Sequence, residues 1–101
     1  MIAVVDAGPL LPLSWIGRLD VLPVLFDPVL VPPTVEHEML RARPEVPRVD
    51  VIRSAFGAGR LRLRPVANLQ AVTELQRAAG LDRGESEAIV LFQEAALQDH
   101  W

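Results

Sequence analysis

Residues 2–6 read Ile-Ala-Val-Val-Asp, a short apolar run that stops at an acidic side chain. Its β-branched residues predict a buried strand of a parallel sheet, because such strands are covered on both faces. Gly8 and Pro9 follow at once and predict a turn into a helix. The run is therefore interpreted as the first strand of an α/β domain, with Asp6 directly after its carboxyl end.

The same alternation of strand and helix continues along the chain. Helices are predicted at residues 10–16 and 19–26, and Val29-Leu30-Val31 is predicted to be the second strand. Pro32 and Pro33 end that strand, and Thr34 is predicted to cap a helix that runs to Arg43. A further helix is expected at about residues 49–58.

The second half of the chain carries clearer helix signals. Residues 61–66 alternate between apolar and basic, which predicts an edge strand with arginines on its open face. Asn68 can cap the next helix, and Gly80 can end it. The last helix is predicted at about residues 84–98, with an apolar stripe formed by Ala88, Leu91, Phe92 and Ala95.

Strands alternating with helices predict an α/β fold in which helices flank a small central parallel sheet. A length of 101 residues fits a single domain spanning residues 1–101. After the last predicted helix the sequence reads Asp99-His100-Trp101, where a further buried strand would be expected. The domain is therefore expected to be incomplete at its C-terminus, with its last strand missing.

Composition limits the chemistry available to the chain. It has no cysteine and only two histidines, which excludes disulfides, thiolate zinc sites and histidine-rich metal sites. Any metal would be held mainly by oxygen, as Mg²⁺ or Mn²⁺ usually is. The absence of cysteine fits a reducing cytoplasm, and no stretch resembles a signal peptide or a membrane span. A cytoplasmic protein without a membrane contact is therefore expected.

The charges are unevenly distributed. The net charge is −3, and seven of the ten arginines lie between Arg41 and Arg64. A basic stretch facing an acidic site suits a phosphodiester substrate. A solvated surface rich in arginine is the simpler alternative. On the first interpretation, the residues that contact RNA or an acidic partner are Arg53, Arg60, Arg62 and Arg64.

Four carboxylates occupy positions in the sequence from which they could lie together at one edge of the predicted sheet. Asp6 follows the first strand, Glu38 lies one turn into the helix after the second, and Glu85 and Glu87 open the last helix. Each has an ordinary explanation: Asp6 as a helix cap, Glu38 as an exposed residue, Glu85 in a capping box with Asp82, and Glu87 as an anion near the helix N-terminus. Together they suggest a divalent-metal site, because clustered carboxylates repel one another unless a cation neutralises them. Such a site suits hydrolysis of a phosphodiester.

Three strings carry a resemblance to a known family. Residues 4–10 (VVDAGPL), 31–38 (VPPTVEHE) and 81–89 (LDRGESEAI) are similar to the three acidic motifs of PIN domain proteins, in the right order and spacing. The third string is the most specific. The resemblance implies a three-layer PIN fold, RNA cleavage dependent on Mg²⁺ or Mn²⁺, and service as a VapC-type toxin with an antitoxin partner.

The resemblance also implies roles for individual residues. Asp6, Glu38 and Glu87 would be the catalytic acids, and the metal ligands would be Asp6, Glu38, Glu85 and Glu87. Two departures stand out: Ala7 and Gly8 replace small hydroxyl residues, and the family's further strand with its acidic motif does not follow. A second hypothesis is therefore a PIN-like binding module without catalysis, which forms a homodimer or binds an antitoxin. A third is a plain α/β fragment whose acids are all helix caps.

Overall fold

The computed structural model describes residues 2–6, 18–40 and 49–98, which form three strands and five helices. The strands are β1 (Ala3–Val4), β2 (Val29–Val31) and β3 (Arg62–Leu63). The helices are α1 (Val21–Leu25), α2 (Pro33–Leu40), α3 (Val49–Gly57), α4 (Leu69–Ala79) and α5 (Arg83–Gln98). The predicted helix at residues 10–16 and the C-terminal residues 99–101 lie outside the described residues.

The strands form one parallel sheet in the order β1-β2-β3. Ala3 is level with Val29, and Leu30 is level with Arg62. Parallel neighbours must be joined by a crossover, and α1 lies in the first connection while α2 and α3 lie in the second. All three residues of the central strand β2 are at most 2% exposed, which confirms the buried strand predicted at residues 29–31.

Alternation along β2 divides the core into two clusters. Val29 and Val31 pack with Val35, Met39 and Ile52 on the side of α2 and α3. Leu30 faces the other side, where its cluster is completed by Val66, Val72, Val90, Leu91 and Ala95, largely from α4 and α5. Side chains that alternate between the two faces of a strand thus give a helix layer on each side of the sheet. The predicted α/β fold, a small parallel sheet flanked by helices, is confirmed.

The predicted signals at both ends of α4 are confirmed. The Asn68 side chain accepts a hydrogen bond from the Ala71 amide at 3.0 Å. Gly80 ends the helix in the left-handed conformation with φ of 69°, which glycine adopts without steric cost. Local chemistry therefore fixes this helix within one residue of its predicted bounds.

Two local predictions were wrong. The helix after β2 begins at Pro33, so Thr34 lies in its first turn instead of capping it; proline is tolerated there because the first turn leaves its amides without intrahelical partners. Phe92 is 49% exposed and Val90 takes its expected place in the core, because the side of α5 that packs carries Val90, Leu91 and Ala95. The predicted edge strand is confirmed as β3, and Leu63 on it is 48% exposed.

None of the helices described here is long and apolar enough to cross a membrane.

Candidate metal centre

Predicted acidic residues gather where β1 and β2 end. The two strands are parallel, so their carboxyl ends share one edge of the sheet, the usual place for a ligand in such folds. Asp6, two residues beyond β1, is partly buried there, and α2 starts two residues beyond β2. The first strand therefore brings Asp6 to the edge at which α2 begins.

Gly84 brings the N-terminus of α5 close to α2. A Cβ atom at Gly84 would lie 3.3 Å from Cγ2 of Val35, tighter than ordinary packing, and 3.7 Å from both Oε1 of Glu38 and Oδ1 of Asp82. Oε1 of Glu38 and Oδ1 of Asp82 therefore lie near the same point, and the distance between them is at most twice 3.7 Å. The missing side chain therefore allows α5 to pack closely on Val35, with the Glu38 and Asp82 carboxylates beside the contact.

Asp82 and Glu85 form the second part of this cluster. Oδ1 of Asp82 accepts a hydrogen bond from the Glu85 amide at 2.7 Å, which confirms the predicted capping role of Asp82. The pKa of Glu85 is raised, first by a side-chain hydrogen bond with Asp82 and by the charge of Asp82, and further by the charge of Asp6. The group Asp6, Glu38, Asp82 and Glu85 is called the acidic edge below.

Glu87 lies in different surroundings, although it is only two residues beyond Glu85. It is 4% exposed and accepts hydrogen bonds from the Thr34 amide at 3.2 Å, from Oγ1 of Thr34 at 2.8 Å and from Nε of Arg83 at 2.8 Å. Residues Thr34, Arg83 and Glu87 are called the Glu87 junction. It joins the N-terminus of α2 to the first turn of α5.

Two of the four predicted RNA-binding arginines share a cavity. The cavity has a volume of about 440 Å³ and lies between α2, α3 and β3. Its lining includes Glu36, Leu40, Arg53, Phe56, Leu61 and Arg62. Arg60 and Arg64 are exposed nearby in the chain but do not line it. The cavity thus combines two guanidinium groups with a half-buried aromatic ring.

The structure therefore separates the four acids predicted to hold a metal. Asp6, Glu38 and Glu85 contribute to the acidic edge, whereas Glu87 belongs to the junction behind it. Among residues 2–6, 18–40 and 49–98, no group of three or more acidic or histidine side chains lies close enough to hold one ion. Sequence reasoning missed Gly84 and Thr34 as parts of this arrangement, although both stand within the quoted motifs.

Comparison with known proteins gives one match. The model of a family described as PIN domain (DUF3368) matches residues 2–98. No curated protein and no solved structure matches the chain significantly. The match spans all three acidic motifs and every strand and helix described above.

Proposed function

The chain belongs to the PIN domain family, and we propose that it is a divalent-metal-dependent endoribonuclease that hydrolyses RNA phosphodiester bonds. One observation carries the proposal: carboxylates that follow β1, lie on α2 and open α5 stand at one edge of the sheet, and the pKa of Glu85 is raised by its acidic neighbours. A cation would relieve that repulsion.

The donors at the acidic edge suit Mg²⁺ or Mn²⁺. They are carboxylate oxygens, the ligands that both ions accept, and the N-terminus of α5 adds no competing cation beyond Arg83, which is paired with Glu87. Asp6, Glu38 and Glu85 would hold the ion, with Asp82 beside them, and their side chains would draw together on binding. When bound, the ion would lower the pKa of a water molecule and neutralise charge on the phosphate.

The basic cavity supports RNA as the substrate. Arg53 and Arg62 can pair with phosphate oxygens, and Phe56 between them offers a ring on which a base can stack. Arg60 and Arg64 extend the positive surface along the same part of the chain. The arrangement favours a single strand, whose bases are free to leave the stack.

Cleavage of labelled single-stranded RNA with Mn²⁺ tests the proposal. The wild-type chain should cut, whereas Asp6→Asn and Glu38→Gln should not, because each removes a charged ligand while keeping the side chain's size. Glu74→Gln is the matched control, since Glu74 is exposed on α4 and is not part of the acidic edge. Equal cleavage by wild type and Asp6→Asn would remove Asp6 from the mechanism.

We further propose that the protein acts as the toxin of a toxin–antitoxin pair in the cytoplasm. The support is the resemblance of its three motifs to those of PIN domain proteins, which implies service as a VapC-type toxin. Induced expression should arrest growth of a bacterial host, and Asp6→Asn should relieve the arrest. Arrest of equal depth by both forms would assign the toxicity to something other than RNA cleavage.

A second candidate is a PIN-like module that forms a homodimer and does not cleave RNA. It is favoured by the lack of a three-ligand group among the described residues and by an apolar groove of about 420 Å³ beside the edge strand β1. Val4, Ile89 and Phe92 line this groove, and a second copy could cover it by pairing β1 with β1 across a two-fold axis. Light scattering separates the candidates: a dimer that dissociates in Phe92→Glu, with no Mn²⁺ binding, would favour the module.

A further inference from the structure

Glu87 is the one buried carboxylate at this end of the described molecule. Its side chain is 6% exposed and is paired with the guanidinium of Arg83. Oε2 accepts two hydrogen bonds, from Oγ1 of Thr34 and Nε of Arg83, and Oε1 accepts one from the Thr34 amide. A carboxylate engaged in this way has little capacity left for a cation, and Arg83 would repel one.

These bonds make Glu87 the cap of a helix to which it does not belong. The first amides of a helix have no partner within it, and Pro33 has no amide hydrogen to offer. Thr34 therefore supplies the first amide of α2, and Glu87 accepts it across 53 positions of sequence. The negative charge at this N-terminus also complements the helix dipole.

The cap is one helical turn from a residue of the acidic edge. Thr34 and Glu38 are four residues apart and so lie on the same face of α2. Val35, between them in sequence, is fully buried and sits against Gly84 of α5. The bonds at Thr34 and the contact between Val35 and Gly84 thus hold α2 against α5 within one helical turn of Glu38.

We infer that Glu87 is a positioning residue and not a metal ligand: it ties α2 to α5 so that Glu38 meets Asp82 and Glu85 at the acidic edge. This inference rests on the proposed function, because it assigns a role within the same metal site. It assigns separate roles to the two glutamates of the Gly84–Ile89 motif: Glu85 is a ligand of the proposed ion, and Glu87 positions α2 against α5.

The test measures Mn²⁺ affinity in folded variants by electron paramagnetic resonance. Glu87→Gln removes the charge but retains an oxygen acceptor for Thr34, so its affinity should fall measurably but less than tenfold, whereas Glu38→Gln should lose measurable binding. Thr34→Val, which removes a hydroxyl but no ligand, should lower the affinity by a similar factor. Thr34→Ser should restore it. The double variant of Thr34→Val and Glu87→Gln should be no weaker than the worse single variant.

Glu94→Gln is the control for a general loss of stability. Glu94 is also on α5 and also accepts hydrogen bonds from another part of the chain, from the main-chain amides of Ala67 and Asn68 at 2.9 Å each, but away from the acidic edge. It should lower the melting temperature and leave the Mn²⁺ affinity unchanged. A merely structural Glu87 would give the same pattern as Glu94, and that result would overturn the inference.

Two other outcomes are distinguishable. In the first, wild type and Thr34→Val bind Mn²⁺ with the same affinity and Glu87→Gln does not bind it. Glu87 would then be a ligand, and the inference would fail while the proposed function stands. If wild type binds no Mn²⁺, the proposed function fails, and Glu87 has no metal site to organise.

Discussion

Glu85 and Glu87 are two residues apart on the same helix, yet they lie in opposite environments. Glu85 is exposed among other acids, and its pKa is raised, first by a hydrogen bond with Asp82 and by the charge of Asp82. Glu87 is buried, with three hydrogen bonds and an arginine. Residues two apart do not share a helix face, so one turn can serve both solvent and core. The comparison teaches that neighbouring glutamates on one helix can differ in kind: Glu85 keeps its charge at the surface, where we propose that a cation binds, whereas Glu87 uses its charge within hydrogen bonds that join α2 to α5.

Removing an edge ligand should have the largest effect on activity. Glu38→Gln should reduce RNA cleavage by about 100-fold or more, because metal-assisted hydrolysis depends on the ligand's charge, while the melting temperature stays within a degree or two. Cleavage rates and thermal unfolding of the same preparation check both statements. A large loss of stability would place Glu38 with the junction instead.

Removing the junction carboxylate should act mainly on stability. Glu87→Ala leaves the Thr34 amide and the Arg83 guanidinium without their partner, and it should lower the free energy of unfolding by about 2–3 kcal/mol. Urea unfolding measures the loss, with Glu74→Ala as the exposed control. A change below about 0.5 kcal/mol would mean that the hydrogen bonds contribute little to the fold.

Closing the space at Gly84 should disturb both regions where they meet. Gly84→Ala gains helix propensity but presses on the buried Val35, which lies within one turn of Glu38, so stability should change by less than about 1 kcal/mol while cleavage falls about tenfold. Gly57→Ala is the matched control, because nothing lies within 4 Å of a Cβ there. Unchanged cleavage in Gly84→Ala would show that the close approach does not matter to the site.

Arginines of the cavity should affect binding without affecting the acidic edge. Arg53→Ala and Arg62→Ala should each weaken single-stranded RNA binding a few-fold and lower the salt slope by about 0.7 per lost phosphate contact. Fluorescence anisotropy at several salt concentrations measures both quantities. Arg77→Ala, exposed on α4, should match wild type. An equal effect from Arg77 would indicate non-specific attraction.

The smallest effect should be the change in stability caused by Glu85→Gln in the metal-free protein. Its pKa is raised on folding, so its protonated form is favoured in the fold, and its contribution to stability is lost as the pH rises through the folded pKa. Glu85→Gln should therefore be slightly more stable than wild type above that pKa and equal to it in acid. Thermal unfolding across pH checks the sign; a less stable Glu85→Gln at neutral pH would contradict it.

Sequence alone predicted what local chemistry determines. The apolar run of β2, the caps at Asn68 and Asp82 and the left-handed Gly80 depend on neighbours a few residues away, and all are present. The bond between Thr34 and Glu87 depends instead on how α2 packs against α5, so both residues received local roles in the prediction. The prediction for Phe92 was wrong for a related reason. The apolar residues of α5 fit two adjacent stripes at helical spacing, and only the packing of the helix on the sheet determines that Val90 is buried and Phe92 is exposed.

The most direct test of the central claim is a manganese titration of the metal-free protein by calorimetry. A single saturable site should appear in wild type and Glu74→Gln and be lost in Asp6→Asn and Glu38→Gln, because these two carboxylates are the proposed ligands that β1 and α2 bring to the acidic edge. Absence of a saturable site in wild type, or equal binding by all four proteins, would contradict the assignment of that edge to a metal.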